Sequence, residues 1–322
     1  MAGLRERVAQ GGLLRPGAAV VVLLSGGRDS VCLLDVVADI CGVAGTRALH
    51  VNYGLRDEAA AEAASCHALC ERLGVALDVI TAAAPGAGSG NLQAWARDLR
   101  YARGAQLALE HGAQLAAGHT ASDQVETILY RLAASPGRRA LLGMADARGR
   151  LIRPLLRAGI TREETAQWCR DRGLTWVEDA SNSSEAFARA RVRERVLPAL
   201  LDVHPAAHDN VLRTADLLRD EAEVLDVVVA TALAGRDRIA LEQLAELPAA
   251  LGRLVLRRLA EDVTGTFCAR AAGRLPDVLA LGREGRSSAL DLGDGARAVV
   301  ESGVLRLERT PPLADERLPS GP

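Results

Sequence analysis

The chain has 322 residues, 49% of them hydrophobic and 25% charged, with a formal net charge of −2. This is the composition of a globular chain with room for one large α/β domain and a smaller one, and no stretch approaches the ~18 uninterrupted apolar residues of a membrane span. The near-neutral balance excludes a protein whose whole surface grips nucleic acid, yet all 39 basic residues are arginine, so each can fork onto a phosphate or a carboxylate.

Met1 to Gln10 carries an acidic residue and no apolar core, so a secretory leader is not expected. Six scattered cysteines without a C-x-x-C suit free thiols in a reducing cytoplasm. An unbroken apolar run, Ala18 to Leu24, then stops at Ser25-Gly26-Gly27-Arg28-Asp29-Ser30, and Val31, Leu34, Val37 and Ala38 follow at helical spacing. This predicts a buried parallel strand, a tight turn and a helix. An ordinary strand-to-helix turn also uses two glycines. Here two hydroxyls and a carboxylate flank them, which points to backbone N–H groups cradling a phosphate. The lysine of G-x-x-x-x-G-K-[ST] and the spacing of G-x-G-x-x-G are both absent.

A second strand is expected over Arg47 to Tyr53, a helix from Glu58 to Leu73 stopped by Gly74, and a third strand over Val75 to Ile80. Ala82 to Gly90 is a loop of small residues, with Asn91 as cap for a helix from Leu92 to His111. Ala113 to Ala117 reads as a fourth strand ending in Gly118-His119, and Asp123 to Ala134 as a further helix. Four repeats of strand, loop and helix give the fold class: α/β, a parallel sheet with helices on both faces. Ligands of such sheets sit at the carboxyl ends of the strands, so Ser25 to Ser30, His50 to Arg56 and Gly118 to Asp123 share one rim.

The stretch from Arg131 to Arg157 is rich in arginine and turns at Ser135-Pro136-Gly137. Thr161 and Glu164 form a capping box for a helix that Gly173 ends, and Leu174 to Val177 runs into Glu178-Asp179. Arg189, Arg191, Arg193 and Arg195 share one face if the segment is extended and split into two i, i+4 pairs if it is helical. They serve either a solvated surface with partners such as Glu194 or the phosphates of RNA. Apolar residues from His208 to Leu233 mark a long amphipathic helix, followed by helices over Leu241 to Glu261 and Cys268 to Leu281. Ala289 to Leu307 reads as short strands about Gly293-Asp294-Gly295, and the tail from Thr310 as disordered. The expected organisation is a catalytic domain over 1–205, a connecting helix over 206–234, a small, mainly helical domain with short C-terminal strands over 235–310 and a tail over 311–322.

Among the carboxylates near the rim, Asp29 and Asp123 lie at the ends of different strands and can meet at a nucleotide-bound magnesium ion. Glu126 shares a helix face with Asp123. Capping and helix-dipole roles are the alternatives for these two, and they do not exclude a cation. His50, His119 and Asn52 offer neutral donors and acceptors.

These residues resemble the PP-loop of N-type ATP pyrophosphatases, which split ATP between its α and β phosphates. The ordered set His50 to Arg56, Gly118 to Thr127, Ile152-Arg153-Pro154-Leu155-Leu156 and Trp176 to Asn182 is similar to that of tRNA(Ile)-lysidine synthetases, over about residues 18 to 200. The resemblance implies an adenine-nucleotide α-hydrolase-like fold and a ligase acting in tRNA processing. ATP adenylates the C2 oxygen of the wobble cytidine of the CAU-anticodon isoleucine tRNA; the ε-amine of free lysine then displaces AMP to give lysidine. It implies ATP binding by Ser25, Gly26, Gly27, Arg28, Asp29, Ser30, His50, Asn52, Gly118 and His119. It further implies catalysis by Asp29, Asp123 and Glu126, magnesium on Asp29 and Asp123, and substrate or tRNA contacts from Arg97, Arg153, Arg191 and Arg193. A cytoplasmic setting, no membrane, and a second copy of the chain as partner complete the expectation.

Three places depart from the family pattern. Ser122-Asp123 stands for two adjacent acids, Arg189-Ala190-Arg191-Val192-Arg193 lacks the usual asparagine, and Ser135-Pro136-Gly137-Arg138-Arg139 replaces a glycine-rich turn. A tRNA thiolation enzyme would need a cysteine at the strand-end motifs, where none lies, and a non-catalytic ATP sensor would not need the acids. An amidotransferase-coupled synthetase would need a glutaminase domain for which the chain has no room.

Overall fold

The structure is a computed structural model that describes residues 3–54, 59–82, 92–134, 137–177, 188–281 and 287–311. Two compact units divide the chain at Leu218/Arg219, a point inside one long helix.

In the first unit, β1 (Val20–Leu23) lies centrally between β2 (Thr46–Asn52) and β4 (Gln114–Ala116), with β3 (Ala76–Thr81) outside β2. All four are parallel, Val20 standing beside Thr46 on one side and Gln114 on the other. β1 is wholly buried because helices cover both faces, which is why its sequence is continuously apolar. Val20 and Val22 pack among α1 (Leu4–Gln10), α2 (Arg28–Cys41) and α3 (Ala59–Leu73), whereas Val21 and Leu23 pack on the opposite face with Ala108 of α4 (Leu92–Glu110).

Beyond β4 the sheet gains β6 (Leu151–Ile152), parallel, and β5 (Ala147–Arg148), an antiparallel edge strand. These two-residue strands carry no readable period, and sequence patterning leaves them out. The same holds for α1 and for the one-turn helices α6 (Arg138–Leu141) and α7 (Pro154–Arg157).

α5 runs over Ala121–Ala134, two residues earlier than the pattern suggests, because Thr120 rather than Asp123 starts it: the Thr120 hydroxyl accepts the Asp123 N–H (3.3 Å). α8 (Arg162–Asp171) has the expected Thr161–Glu164 capping box, and Gly173 at φ +60° follows its end. The arginine stretch is helical, α9 (Ala188–Arg191) passing into a π-helical turn over Val192–Val196 and then α10 (Leu197–Val203). The cap at Asn91, the turn at Ser135-Pro136, Arg56, and Glu178 to Asn182 lie outside the described residues, as does the tail beyond residue 311.

α11 (Ala207–Leu233) spans 27 residues. In the second unit, the helix expected over Leu241 to Glu261 is two, α12 (Leu241–Glu246) and α13 (Ala249–Thr264), because Pro248 caps the second with an extended backbone and no N–H to continue the first. Likewise Cys268 to Leu281 resolves into a 3₁₀ turn, Ala271–Arg274, and α14 (Leu275–Leu281). The strands form an antiparallel sheet in the order β7 (Arg238–Ala240), β10 (Val304–Arg309), β9 (Ala296–Glu301), β8 (Ser288–Gly293). Its two hairpins turn at Asp294-Gly295 and Ser302-Gly303, all four at positive φ, the type I′ geometry that matches strand twist.

Candidate active site

The turn after β1 is built to a fixed shape. Gly26 sits at φ +82°, a conformation that disfavours any side chain, and a Cβ there would lie 3.4 Å from Cys66 Sγ. The Ser30 hydroxyl donates to the Gly27 carbonyl (2.7 Å) and accepts the Ser25 N–H (3.1 Å), so Ser30 braces the loop. The opening turn of α2 keeps N–H groups that have no acceptor within the helix, together with the positive end of its dipole, for an anion.

Gly118 brings the end of β4 against this turn. A Cβ on Gly118 would lie 3.1 Å from the backbone C and O of Asp29 and the N of Ser30. That close approach places Asp29 and Asp123 on one cleft of about 810 Å³, lined also by Arg97, Arg100 and Tyr101 from α4, by Trp176 and Val177, and by Arg189, Arg193 and Glu194.

One guanidinium joins three of the cleft's acids, Asp29, Asp123 and Glu126. Arg162, the first residue of α8, donates through Nη2 to Asp123 Oδ1 (2.8 Å) and through Nη1 to Glu126 Oε1 (2.9 Å), with Nε 3.9 Å from Asp29 Oδ2. Burial disfavours its charge, but Asp123, Glu126 and Asp29 outweigh that and raise its pKa. Asp123 Oδ2 accepts from both the N–H (2.8 Å) and the hydroxyl (2.9 Å) of Thr120, closing a reciprocal cap at the head of α5. Glu126 is 3% exposed, and Arg193 binds both its oxygens, at 2.7 and 3.0 Å.

Burial pushes the Asp29 carboxyl above its ordinary value; the Thr165 hydroxyl, which donates to Oδ1, opposes this, and nearby Asp123 adds to it. Directly after Gly118, His119 accepts the Arg153 Nε–H at Nδ1 (3.2 Å). Since Nε of arginine can only donate, the neutral ring carries its hydrogen on Nε2. Burial, then the charges of Arg153, Arg97, Arg100 and Arg189, hold its pKa down to about 3.

Of the expected nucleotide contacts, Ser25, Gly27, Arg28, Asp29, Ser30, Gly118 and His119 line the cleft. Gly26, His50 and Asn52 do not; Gly26 is buried and its carbonyl accepts the Val177 N–H (3.0 Å). His50 is buried and its Nδ1 meets the Leu24 carbonyl at 3.0 Å, supporting the loop from beneath; the Asn52 side chain accepts from Gly54 N–H (2.8 Å) and shapes the turn after β2. Arg97 reaches the cleft and stacks over Tyr101 at 5.0 Å, and Arg191 is exposed outside the lining. Arg153 is 8% exposed and spends its donors on His119 and the Ala145 carbonyl (2.6 Å), while Arg193 serves Glu126.

Arg162 and Thr165 escape sequence reasoning. They stand more than 130 residues from Asp29, and only the packing of α8 on α2 brings them there. Trp168 Nε1 to Asp35 (2.8 Å) and Arg172 to Asp35 (2.6 Å) fix that packing.

Among the described residues no three His, Cys, Asp or Glu side chains converge closely enough to cage an ion. Asp29 and Asp123 instead bring two hard carboxylate donors to one cleft, both against Arg162. That is the protein share a magnesium ion takes when nucleotide phosphates and water complete its shell. The residues fit such an ion. No described helix is long and apolar enough to cross a membrane.

Residues 4–200 match the family of the PP-loop domain. The chain is 36% identical to a tRNA(Ile)-lysidine synthase of Symbiobacterium thermophilum, over 96% of this chain and 69% of that one. It is 39% identical to one of Nocardia farcinica, over 75% and 76%, and 35% identical to one of Methylococcus capsulatus, over 76% and 58%. Among solved structures, a U34-tRNA thiolase of Methanococcus maripaludis shares the fold, with a TM-score of 0.56 and 18% identity over 67% of this chain and 78% of that one.

Proposed function

The chain belongs to the tRNA(Ile)-lysidine synthase family and carries its ATP-binding PP-loop domain, and from that premise we propose that it ligates free lysine to the wobble cytidine of the CAU-anticodon isoleucine tRNA. The observation that carries the reading is the meeting, in one cleft, of the loop from Ser25 to Ser30, Asp123 and the arginines of α4 and α9.

In the first step the cytidine C2 oxygen attacks the α-phosphorus of ATP and pyrophosphate leaves. Gly26 shapes the turn, while the Gly27 backbone and the head of α2 hold the phosphates, where N–H donors stabilise the charge that develops on them. Asp29 and Asp123 would hold magnesium, which when bound supplies positive charge to the leaving pyrophosphate. His119, neutral at pH 7 and with a hydrogen on Nε2, donates into the cleft without adding another positive charge.

In the second step the ε-amine attacks C2, a C–N bond forms, the C–O bond breaks and AMP departs. The attacking amine gives up a proton, and we assign its receipt to the Asp123 carboxylate, which lines the cleft and is more exposed than Glu126. Glu126 fits that role less well, because its side chain is 3% exposed against 24% for Asp123 and two guanidiniums hold it. Its function is to hold α5, α8 and the π-helical turn together. Arg97, Arg189 and Arg191, all exposed, would meet substrate and tRNA phosphates. A cysteine-based thiolation is disfavoured: all six cysteines are buried and none lines the cleft.

Purified protein, ATP, radiolabelled lysine and a transcript of the CAU-anticodon isoleucine tRNA test the proposal. Lysine is expected to enter the RNA in an ATP-dependent manner with release of AMP and pyrophosphate. A folded protein that incorporates no label overturns it.

A further inference from the structure

Among the described residues Arg162 is the cation shared by Asp29, Asp123 and Glu126: 2.8 Å from Asp123, 2.9 Å from Glu126 and 3.9 Å from Asp29. Its side chain is 18% exposed and the acids 24%, 3% and 22%, so water does little to screen the four charges from one another. Asp29 and Asp123 raise each other's energy when both are ionised, and burial adds to the cost at Asp29. A positive charge between them is needed whether or not nucleotide is present. The backbone fixes where that charge starts: the Arg162 N–H bonds the Ser122 hydroxyl at 3.2 Å, and Thr161 caps the helix one residue earlier.

We infer that the Arg162 guanidinium is the resident counter-cation of the metal site, occupying the place between Asp29 and Asp123 that a nucleotide-bound divalent ion takes, and that the two exchange. The inference rests on the ATP-and-metal reading of the cleft and adds the residue that competes for it. Two cations cannot both sit between carboxylates this close, and a guanidinium on a long side chain is the mobile one. Glu126 remains with Arg193 when Arg162 leaves, so the buried acid is never left without a partner. Arg162 is thus a positioning residue. It keeps the site closed and charge-balanced until metal and nucleotide arrive together.

The test is Mn²⁺ binding to the full chain without nucleotide, followed by the paramagnetic resonance of the free ion. Wild type is expected to bind Mn²⁺ weakly and Arg162→Gln at least tenfold more tightly. Adding Asp29→Asn to Arg162→Gln is expected to return binding to the wild-type level. Arg193→Gln also removes a guanidinium from Glu126 but bridges neither aspartate, and it is expected to leave Mn²⁺ binding within about twofold of wild type. Equal affinity in wild type and Arg162→Gln overturns the exchange, and so does tightening by Arg193→Gln to the same degree, since a diffuse field would then explain both. Should Arg162→Gln not fold, Arg162→Lys carries the test, because its shorter point charge cannot span all three acids; it too must bind Mn²⁺ more tightly than wild type. Failure of wild type to incorporate lysine would remove the ligase reading while leaving these metal affinities to decide the exchange.

Discussion

His119 and Asp29 show at the residue scale how burial sets charge. His119 titrates near 6.5 in an unfolded chain and at about 3 when folded. Folding therefore favours the neutral ring, and the stability this contributes is complete above pH 6.5 and lost as the pH falls toward 3. Nitrogen shifts of the His119 ring are expected to stay at the neutral, Nε2–H values between pH 8 and 5; a titration midpoint near 6.5 would refute the buried arginine-ringed site. Asp29 has the opposite sign. Its pKa is raised on folding, so the ionised carboxylate opposes folding above its ordinary value of 3.8, and protonation in acid relieves that opposition. Asp29→Asn is expected to melt at a higher temperature than wild type at pH 7 while slowing ATP-dependent pyrophosphate release by on the order of 100-fold or more. A calorimetric scan and a pyrophosphate assay on the same preparation check both halves, and a lower melting temperature would contradict the desolvation argument.

The elements are joined by few residues, and each junction can be broken by one substitution. Glu126 ties α5 to α8 through Arg162 and to the π-helical turn through Arg193. Glu126→Ala leaves two guanidiniums without this carboxylate in a largely buried place and is expected to cost about 3–5 kcal/mol in urea unfolding. A loss under 1 kcal/mol would mean that the two arginines find other partners at no cost. Gly118→Ala acts differently. The new methyl meets the backbone of Asp29 and Ser30 at 3.1 Å, and backbone cannot swing aside as a side chain can. An overpacking loss of about 1–3 kcal/mol is expected, with weakened ATP binding because the β4 end pushes on the phosphate turn. Isothermal titration with a non-hydrolysable ATP analogue measures the second effect, and unchanged affinity would separate β4 from the loop.

At the scale of the molecule, each of the two units has its own apolar core: one around β1 and α2, the other around α13 and the β7-to-β10 sheet. A ligand stabilises what it touches, by about 2.7 kcal/mol at a hundredfold excess over its Kd. All the cleft residues belong to the first unit. Amide hydrogen exchange with ATP analogue and magnesium is accordingly expected to slow over 20–30, 114–126 and 162–177, with no change over 238–309. Protection spreading equally into the second sheet would show that nucleotide binding is felt by both units.

The sequence alone determined the strand–loop–helix repeat, because β1 is continuously apolar, β2 alternates, and their helices are bounded by glycine, threonine and turn residues. It also determined that the loop from Ser25 to Ser30 and the segment from Gly118 to Asp123 share a rim, since parallel strands end on one side. The two-residue strands β5 and β6 were beyond it, having no period to read, as was the break at Pro248 inside a long apolar pattern. Only the tertiary structure decided which polar residues face the cleft. His50 and Asn52 fit the rim by position yet turn to the Leu24 carbonyl and to Gly54, because a buried backbone acceptor and a tight turn each need a partner more than an exposed ligand does. It likewise decided that Arg162, far along the chain, reaches Asp29, Asp123 and Glu126. Helix-end spacing announces Thr161 and Glu164 as a cap, but the charge beside them acquires its role only when α8 packs on α2, a contact between segments that no local pattern encodes.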